Sequence, residues 1–365
     1  LTFLVSIVAV SLYGLIISRV RFNRVVPGAY IVFALSFAGF YFGSQFVADS
    51  TTIDKSFYVW LSVFSLFHAS VFWSFMSGTF SKEQAPRLFA IIATGASFGS
   101  IVGSAISGFL AEELGVMNLM LIAAALLLVP LPIISSLVQL KDSALGNQDL
   151  QADLSEAKRL GKNPFAGFKL FFSNPYLVAI GVFILMYVAM STFVYMELRE
   201  MLAVYERAVR TEILGRIDFW VNIIVVLVAF FGTGRLATRF GIAATLALIP
   251  LLMVGGWLIV AAVPLLAVLY GLQVFRKAGN YAVTKPGREM LFTLVDDETR
   301  YKAKPVIDIV VYRGGDMATA WFHTFLKDGL AFGLAGVAVV AAVIAGIWAA
   351  TGAYLGKTYN RAKEQ

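Results

Sequence analysis

Positive side chains at helical spacing are the first feature of this sequence that could do chemistry. The stretch Arg276–Asp316 holds eight Lys or Arg and six Asp or Glu, and it lies between long apolar segments. Lys277, Tyr281, Lys285 and Arg288 follow one another at intervals that place them on one face of a helix. Arg presents a planar fork of donors and Lys a point charge, and both suit phosphate oxygens. The pattern therefore predicts a site for an anion.

A second polar stripe follows on the next apolar segment. Asp308, Asp316 and His323 recur there at intervals that place them on one helix face. A charge at membrane depth costs about 3 kcal/mol on insertion scales, so such groups are kept where a polar path or partner needs them. Three interpretations stay open: a gating ion pair of Asp308 with Arg313 or Lys304, a proton relay, or a polar seam between helices.

The candidate site residues fall into two groups by charge and position. The candidate substrate-binding residues are Arg276, Lys277, Asn280, Tyr281, Lys285, Arg288, Lys302, Lys304, Asp308, Tyr312 and Arg313. The candidate gating residues, which would make and break ion pairs, are Glu83, Arg87, Asp297, Glu298, Asp316, Glu197 and Arg199. Acids repel phosphate, so Asp297 and Glu298 fit a latch better than a substrate contact. The alternative for the basic residues is that they are snorkelling or loop-end charges.

Composition decides what kind of chain positions these residues. The 365 residues are 59% hydrophobic and only 14% charged, with a mean hydropathy of +0.81. Apolar runs of about 20 residues recur from end to end, which predicts an all-α polytopic membrane protein in contact with the lipid bilayer. The net charge of +7 fits basic loops on one membrane side, so no nucleic-acid partner is predicted.

Metal, cofactor and enzyme chemistry find little support in the sequence. The chain has no Cys and two His, so no metal site and no cofactor are predicted. No Walker A, G-x-S-x-G or H-E-x-x-H pattern occurs, and the glycines between Gly95 and Gly108 follow no strand. The sequence therefore predicts a protein that is not an enzyme.

Eleven apolar spans are predicted, five of them before the one long polar stretch and six after it. The predicted domains are an N-terminal helical bundle at 1–140, a cytoplasmic linker at 141–175 and a C-terminal six-helix bundle at 176–365. The linker is expected to contain a short amphipathic helix near Phe165–Phe172. Eleven spans are odd for a protein built from two equal halves, so a twelfth helix is expected before Leu1. Loop charge predicts that the C-terminus faces the cytoplasm. The expected location is a bacterial cell membrane.

An internal repeat supports two related halves. Glu83 falls on Glu298 and Arg87 on Lys302 at one common offset, and Gly99 falls on Gly314 at the same offset. The basic turns around Arg21 and Arg239 also correspond at a nearly equal offset. Near-equal offsets at two places predict a duplicated architecture of two six-helix bundles around a central site, as in major-facilitator transporters.

The segment Lys285–Asp316 carries a family resemblance. It reads KPGREMLFTLVDDETRYKAKPVIDIVVYRGGD and resembles the ATP/ADP translocase family of bacteria and plastids, a branch related to the major facilitators. The family pattern combines a K-P-x-[KR]-E-M run, an acidic-basic turn and an I-D-V-V continuation. The matching residues here are Lys285, Pro286, Arg288, Glu289, Met290, Asp297, Glu298, Lys302, Lys304, Ile307, Asp308, Val310 and Val311. The first-half segment Val71–Phe89 is similar to the corresponding family segment.

The resemblance implies a secondary transporter that exchanges nucleotides, such as ATP for ADP, or another phosphorylated anion by alternating access. Two alternatives on the same fold stay open, a non-transporting subunit that binds a membrane-protein partner and a lipid or lysolipid carrier. A carrier is expected to bring Lys277, Lys285 and Arg288 to a water-filled centre. A structural subunit is expected to show a packed centre and a large apolar face.

Overall fold

Helices make up every regular element of the part of the chain that the structure describes. The computed structural model describes residues 2–17, 22–46, 50–81, 83–114, 116–143, 163, 165–228 and 234–364. Within these ranges there is no strand, which confirms the predicted all-α polytopic class. The basic turn around Arg21 and most of the predicted linker at 141–175 lie outside the described residues.

Seven helices lie among the described residues of the first part of the chain. They are α1 (Thr2–Ile17), α2 (Phe22–Phe46), α3 (Ser50–Thr79), α4 (Ala85–Leu114), α5 (Val116–Leu128), α6 (Pro130–Ser143) and α7 (Ala166–Ser173). Helices α5 and α6 follow each other across the single residue Val129, where Pro130 opens the second helix. Helix α7 lies where the sequence predicts a short amphipathic helix.

Seven further α-helices lie among the residues that the structure describes after Ser173. They are α8 (Pro175–Leu202), α9 (Arg207–Val228), α10 (Gly234–Ala262), α11 (Leu266–Gly279), α12 (Lys285–Met290), α13 (Tyr312–Thr324) and α14 (Leu334–Glu364). Helix α8 begins sharply because the Asn174 side chain accepts the Tyr176 backbone N–H at 3.0 Å and Pro175 occupies the first turn. In α10, Gly241 has φ +80°, a left-handed conformation that breaks the helix there.

Seven helices of the described residues are long and apolar enough to cross a membrane. The two helical runs that hold the charged stretch, 266–294 and 299–329, are not among them, although both are continuous enough in helix to span a bilayer. These two runs are less apolar than the seven helices because each contains several charged residues. The charged residues of the stretch Arg276–Asp316 therefore lie mostly on helical runs that are long enough to cross a membrane.

The same two charged runs contain every π-helical turn of the described residues. These turns are Asn280–Thr284, Thr299–Ala303, Val306–Val311 and Phe325–Gly329. A π-helical turn carries one extra residue, is rare in proteins and recurs at functional sites. The first turn precedes Pro286, and the Lys285 backbone N–H donates to the Asn280 carbonyl. This turn lets the helix continue past the proline, which has no backbone N–H to donate.

The chain divides into two compact units, each built from separate stretches. The first unit comprises Leu1–Ser81, Val102–Ser173 and Val295–Val310. Aromatic rings fill its interior between α1, α2 and α3, for example Tyr13 against Phe67 at 4.8 Å between ring centroids. His68 lies among the rings of Tyr30 and Phe64, consistent with a packed interhelical residue.

The second unit comprises Lys82–Ile101, Asn174–Leu294 and Val311–Gln365. Its closest helix pair is α10 with α14, where glycines bring the two backbones together. A Cβ at Gly356 would overlap the Ala243 backbone, and one at Gly352 would lie 2.8 Å from the Leu246 carbonyl oxygen. Small residues at a spacing of four allow such close approach between membrane helices.

Candidate functional site

Arg276 is a charged residue that is almost completely buried in the second unit. Its side chain lies in the last turn of α11 and the residue is only 3% exposed. The Gln273 side-chain oxygen accepts from both Nε and Nη2 of Arg276 at 3.0 Å. The Nη1 atom is buried with no hydrogen-bond partner, and no salt bridge to Arg276 occurs among the described residues. A buried guanidinium without a carboxylate is costly, so this group can gain from a bound anion.

Tyrosine side chains surround the Arg276 guanidinium. Its central carbon lies 6.0 Å from the ring centroid of Tyr187 on α8, within the range of a cation–π interaction. The Tyr187 ring is 6.3 Å from the Tyr312 ring on α13. Tyr281 and Tyr312 are both close enough to Arg276 to interact with its charge. The cluster combines a cation with flat aromatic surfaces.

The residues of the predicted basic face on the first charged run have separate partners. Lys277 Nζ lies 2.7 Å from the Asp218 carboxylate on α9. Lys285 Nζ lies 6.0 Å from the centroid of the Tyr281 ring. Arg288 pairs with its neighbour Glu289, whose side chain is fully buried. These cations therefore lie along one helix rather than around a single point.

Two further predicted residues lie next to the tyrosine cluster. Asn280, 7% exposed, opens the first π-helical turn directly after α11. Asp316 accepts from Arg313 Nη1 at 3.3 Å and from the Thr192 hydroxyl at 3.4 Å. Asp316 thus belongs to the second unit together with Tyr312, on the helix that faces Tyr187.

The basic residues between Asp296 and Val310 belong to the first unit. Arg300, Lys302 and Lys304 are 3%, 3% and 0% exposed. Lys304 Nζ lies 2.5 Å from the Asp308 carboxylate and 3.5 Å from the Ser70 carbonyl oxygen on α3. The structure therefore pairs two predicted substrate-binding residues, Lys304 and Asp308, with each other.

The predicted latch residues form pairs within their own segment. Asp297 pairs with Arg300, and Glu298 lies 3.0 Å from Lys302 Nζ, at spacings of three and four along the helix. Glu83 and Arg87 in the second unit are exposed, as is Arg199. Glu197 is buried instead, and it is hydrogen-bonded to His323 at 2.7 Å.

The second unit also contains an apolar cavity. It has a volume of about 680 Å³ and is lined by apolar and aromatic residues of α9, α10 and α11, among them Trp220, Ile249 and Tyr270. Among the described residues, none of the side chains that line it is charged. Its chemistry suits hydrocarbon, so the polar candidate site is the Arg276 cluster and not this cavity.

Sequence reasoning missed the partners that shape the Arg276 cluster. Tyr187 stands as one aromatic residue in the apolar helix α8, and Gln273 is one amide in α11. Only the packing of α8 against α11 and α13 gives them a role. Arg276, Tyr281 and Tyr312 were all predicted to be substrate-binding residues, and that assignment stays a prediction.

Comparison with known proteins defines the class to which this fold belongs. The sequence profile of the Major Facilitator Superfamily matches residues 1–285. The fold resembles a solved structure of the proton:xylose symporter XylE, with a TM-score of 0.65, 13% identity, and coverage of 96% of this chain and 83% of that one. It also resembles the human organic anion transporter MFSD10, with a TM-score of 0.61, 14% identity, and coverage of 96% and 82%.

The chain belongs to the Major Facilitator Superfamily. Among curated proteins it is 22% identical, over 348 residues, to ADP,ATP carrier protein 2 of Chlamydia trachomatis serovar D. That match covers 82% of this chain and 64% of the relative, so the chain spans a little under two thirds of the relative's length. Membership of this superfamily and the long apolar helices show a multi-pass membrane protein.

Proposed function

We propose that the protein exchanges a nucleotide, such as ATP for ADP, or another phosphorylated anion by alternating access. The observation that carries this proposal is the buried Arg276 guanidinium, which has no carboxylate partner among the described residues. Phosphate oxygens would supply the missing negative charge and accept from its free Nη1 atom. Because that atom is shut off from solvent here, cargo reaches it through a conformational change.

The rings around Arg276 support a nucleotide rather than a simple inorganic anion. Tyr187, Tyr281 and Tyr312 offer flat surfaces on which a base can stack while the guanidinium holds phosphate. Stacking of a base on an aromatic side chain contributes about 1–3 kcal/mol in other nucleotide-binding proteins. The motif resemblance of Lys285–Asp316 and the curated relative, named as an ADP,ATP carrier, point the same way.

The remaining predicted residues take supporting roles in this proposal. Lys277, Lys285 and Arg288 line the same helical run and attract the anion as it approaches. The short-range pairs of Asp297 and Glu298, together with Glu83, Arg87 and Arg199, rearrange as the carrier changes state. The exchange needs no hydrolysis, since the concentration gradients of the two anions drive it.

Uptake of labelled ATP into proteoliposomes loaded with ADP tests the proposal. We expect Arg276→Gln to lower uptake about tenfold or more, because a hydrogen bond to a charged group contributes about 1.5–3 kcal/mol. Arg276→Lys, which keeps the charge but loses the fork, should retain an intermediate rate. Arg361→Gln is the matched control, since that arginine is exposed on α14.

Two results would count against the proposal. Equal uptake by the parent protein and by folded Arg276→Gln would remove Arg276 from the site. Absence of uptake of any nucleotide by the parent would exclude a nucleotide cargo. Lys277→Ala and Arg288→Ala belong in the same series, and we expect smaller losses from them because each cation already has a carboxylate partner.

A further inference from the structure

A buried pair of titratable side chains lies in the second unit and has no part in the anion site. His323 Nε2 on α13 lies 2.7 Å from Glu197 Oε1 on α8. The side chains are only 5% and 2% exposed. The Phe193 ring packs edge-on against the imidazole at 5.4 Å between centroids. Two groups that each bind a proton are thus held together away from bulk water.

Charged groups of decreasing exposure connect this pair to the surface. Lys327 Nζ lies 3.0 Å from Glu200 and 3.7 Å from Glu197, and their side chains are 19%, 57% and 2% exposed in that order. Asp316 lies two helical turns from His323 on the same helix. Asp328 is a further carboxylate on the same helical run, and its side chain is exposed.

The arrangement lets the pair lose and regain one proton without leaving an uncompensated charge. With the proton present, the carboxylate of Glu197 faces the imidazolium of His323, and the two charges cancel. When the proton leaves, the imidazole is neutral and Lys327 still supplies Glu197 with a counter-charge at 3.7 Å. A second proton is disfavoured, because it would add positive charge beside Lys327.

We propose that Glu197 and His323 form a proton-binding site that takes up and releases one proton in each transport cycle. The proton comes from water on one side, is held in the hydrogen bond between Nε2 and Oε1, and returns to water on the other side. The packing of α8 against α13 makes the distance between the two groups sensitive to any relative shift of these helices. The coupling to cargo rests on the proposed anion exchange, whereas the proton site itself does not.

The proton site can be tested without cargo. The chain has two histidines, so ¹⁵N-histidine labelling of the His68→Gln protein in lipid nanodiscs leaves the His323 imidazole as the single signal. We expect a titration of that signal that moves to lower pH in Glu197→Gln, because the imidazolium loses its counter-ion. Glu197→Asp, which keeps the carboxylate, should lie between the two. A signal that does not titrate, or one that is unchanged in Glu197→Gln, overturns the proposal.

The coupling is tested by ATP uptake into proteoliposomes with and without a pH gradient. For one proton carried with ATP, acidifying the outside by one unit should raise accumulation up to about tenfold. Glu197→Gln and His323→Gln should lose this response but keep exchange of labelled for unlabelled ATP at equal pH. Asp328→Asn, an exposed carboxylate nearby on the same helical run, is the control and should keep the response.

The two proposals fail in different ways in this experiment. A parent protein that carries ATP with no response to the pH gradient overturns the proton coupling and leaves the anion exchange standing. Variants that keep the full response also overturn it. If the parent carries no ATP, the proposed function fails, and the proton site then stands or falls by the His323 signal alone.

Discussion

Lys304 is a buried cation of the first unit that pairs with a carboxylate. It is 0% exposed and its ammonium lies 2.5 Å from Asp308. Removing one member of a buried ion pair costs about 3–5 kcal/mol, because the other charge stays buried without compensation. We therefore expect Asp308→Asn to lower the unfolding temperature clearly, as followed by intrinsic tryptophan fluorescence.

The double variant Lys304→Met with Asp308→Leu is the decisive comparison. Replacing both members with apolar residues of similar size is often neutral or stabilising by about 1–4 kcal/mol. The double variant should thus recover most of the stability that Asp308→Asn loses. A double variant as unstable as the single one would show that the ion pair itself, and not the uncompensated charge, determines stability.

The sequence predicted which residues share a helix face better than it predicted which side chains they contact. The spacing of Lys277, Tyr281 and Lys285 placed them on one helix face, which the structure retains. The same spacing did not show that Arg276 is the buried cation. Arg276 lies about 100° around the helix from Lys277, and its burial depends on which helix face packs against α8. His323 was grouped with Asp316 by spacing along one helix, whereas its partner Glu197 comes from α8.

At the scale of elements, the contact between α10 and α14 depends on two glycines. A methyl group at Gly356 would overlap the Ala243 backbone, and one at Gly352 would press on the Leu246 carbonyl. We expect Gly352→Ala and Gly356→Ala each to destabilise the protein by about 1–3 kcal/mol, the usual range for overpacking. Thermal unfolding in detergent measures the effect.

Gly346 provides the matched control on the same helix. A Cβ at this position would meet no atom within 4 Å, so Gly346→Ala changes helix propensity alone. That change should stabilise α14 by up to about 1 kcal/mol. Equal losses in all three variants would mean that chain flexibility, rather than the close approach of the helices, is what these glycines provide.

Helix positions were predictable because long apolar runs and cap signals are local. The short helix α7, which was expected near Phe165–Phe172, is an example. The π-helical turns were not predictable, because an extra residue in a turn reflects how the helix must fit its neighbours. Gly167 on α7 illustrates this fit, since a Cβ there would overlap the Lys302 carbonyl in the π-helical turn Thr299–Ala303.

For the whole molecule, the membership of the Major Facilitator Superfamily agrees with the duplicated architecture inferred from repeated motifs. The predicted boundaries at residues 140 and 175 stay a prediction. The compact units follow contacts rather than sequence order, since Val295–Val310 groups with the first helices through Ser70 and Ser74 on α3. Such contacts are more than two hundred residues apart in the chain, beyond the reach of any local pattern.

The proposed anion exchange and the proposed proton site at Glu197 and His323 together determine the charge moved in one transport cycle. ATP carries one more negative charge than ADP, so exchange of these two anions alone moves net charge across the membrane. One such charge is worth about 2.3 kcal/mol per 100 mV, or up to about 50-fold in the final distribution. A proton that accompanies ATP on the pair cancels this charge.

We therefore expect exchange by the parent protein to be insensitive to membrane potential, whereas Glu197→Gln becomes sensitive to it. Labelled ATP uptake into ADP-loaded liposomes, at equal pH, with a potassium gradient and valinomycin, measures this directly. An inside-negative potential should slow uptake by Glu197→Gln and an inside-positive one should speed it, because the variant stays neutral where the parent pair changes charge. A parent protein as sensitive as the variant would show that no proton travels with ATP, and Asp328→Asn should behave like the parent.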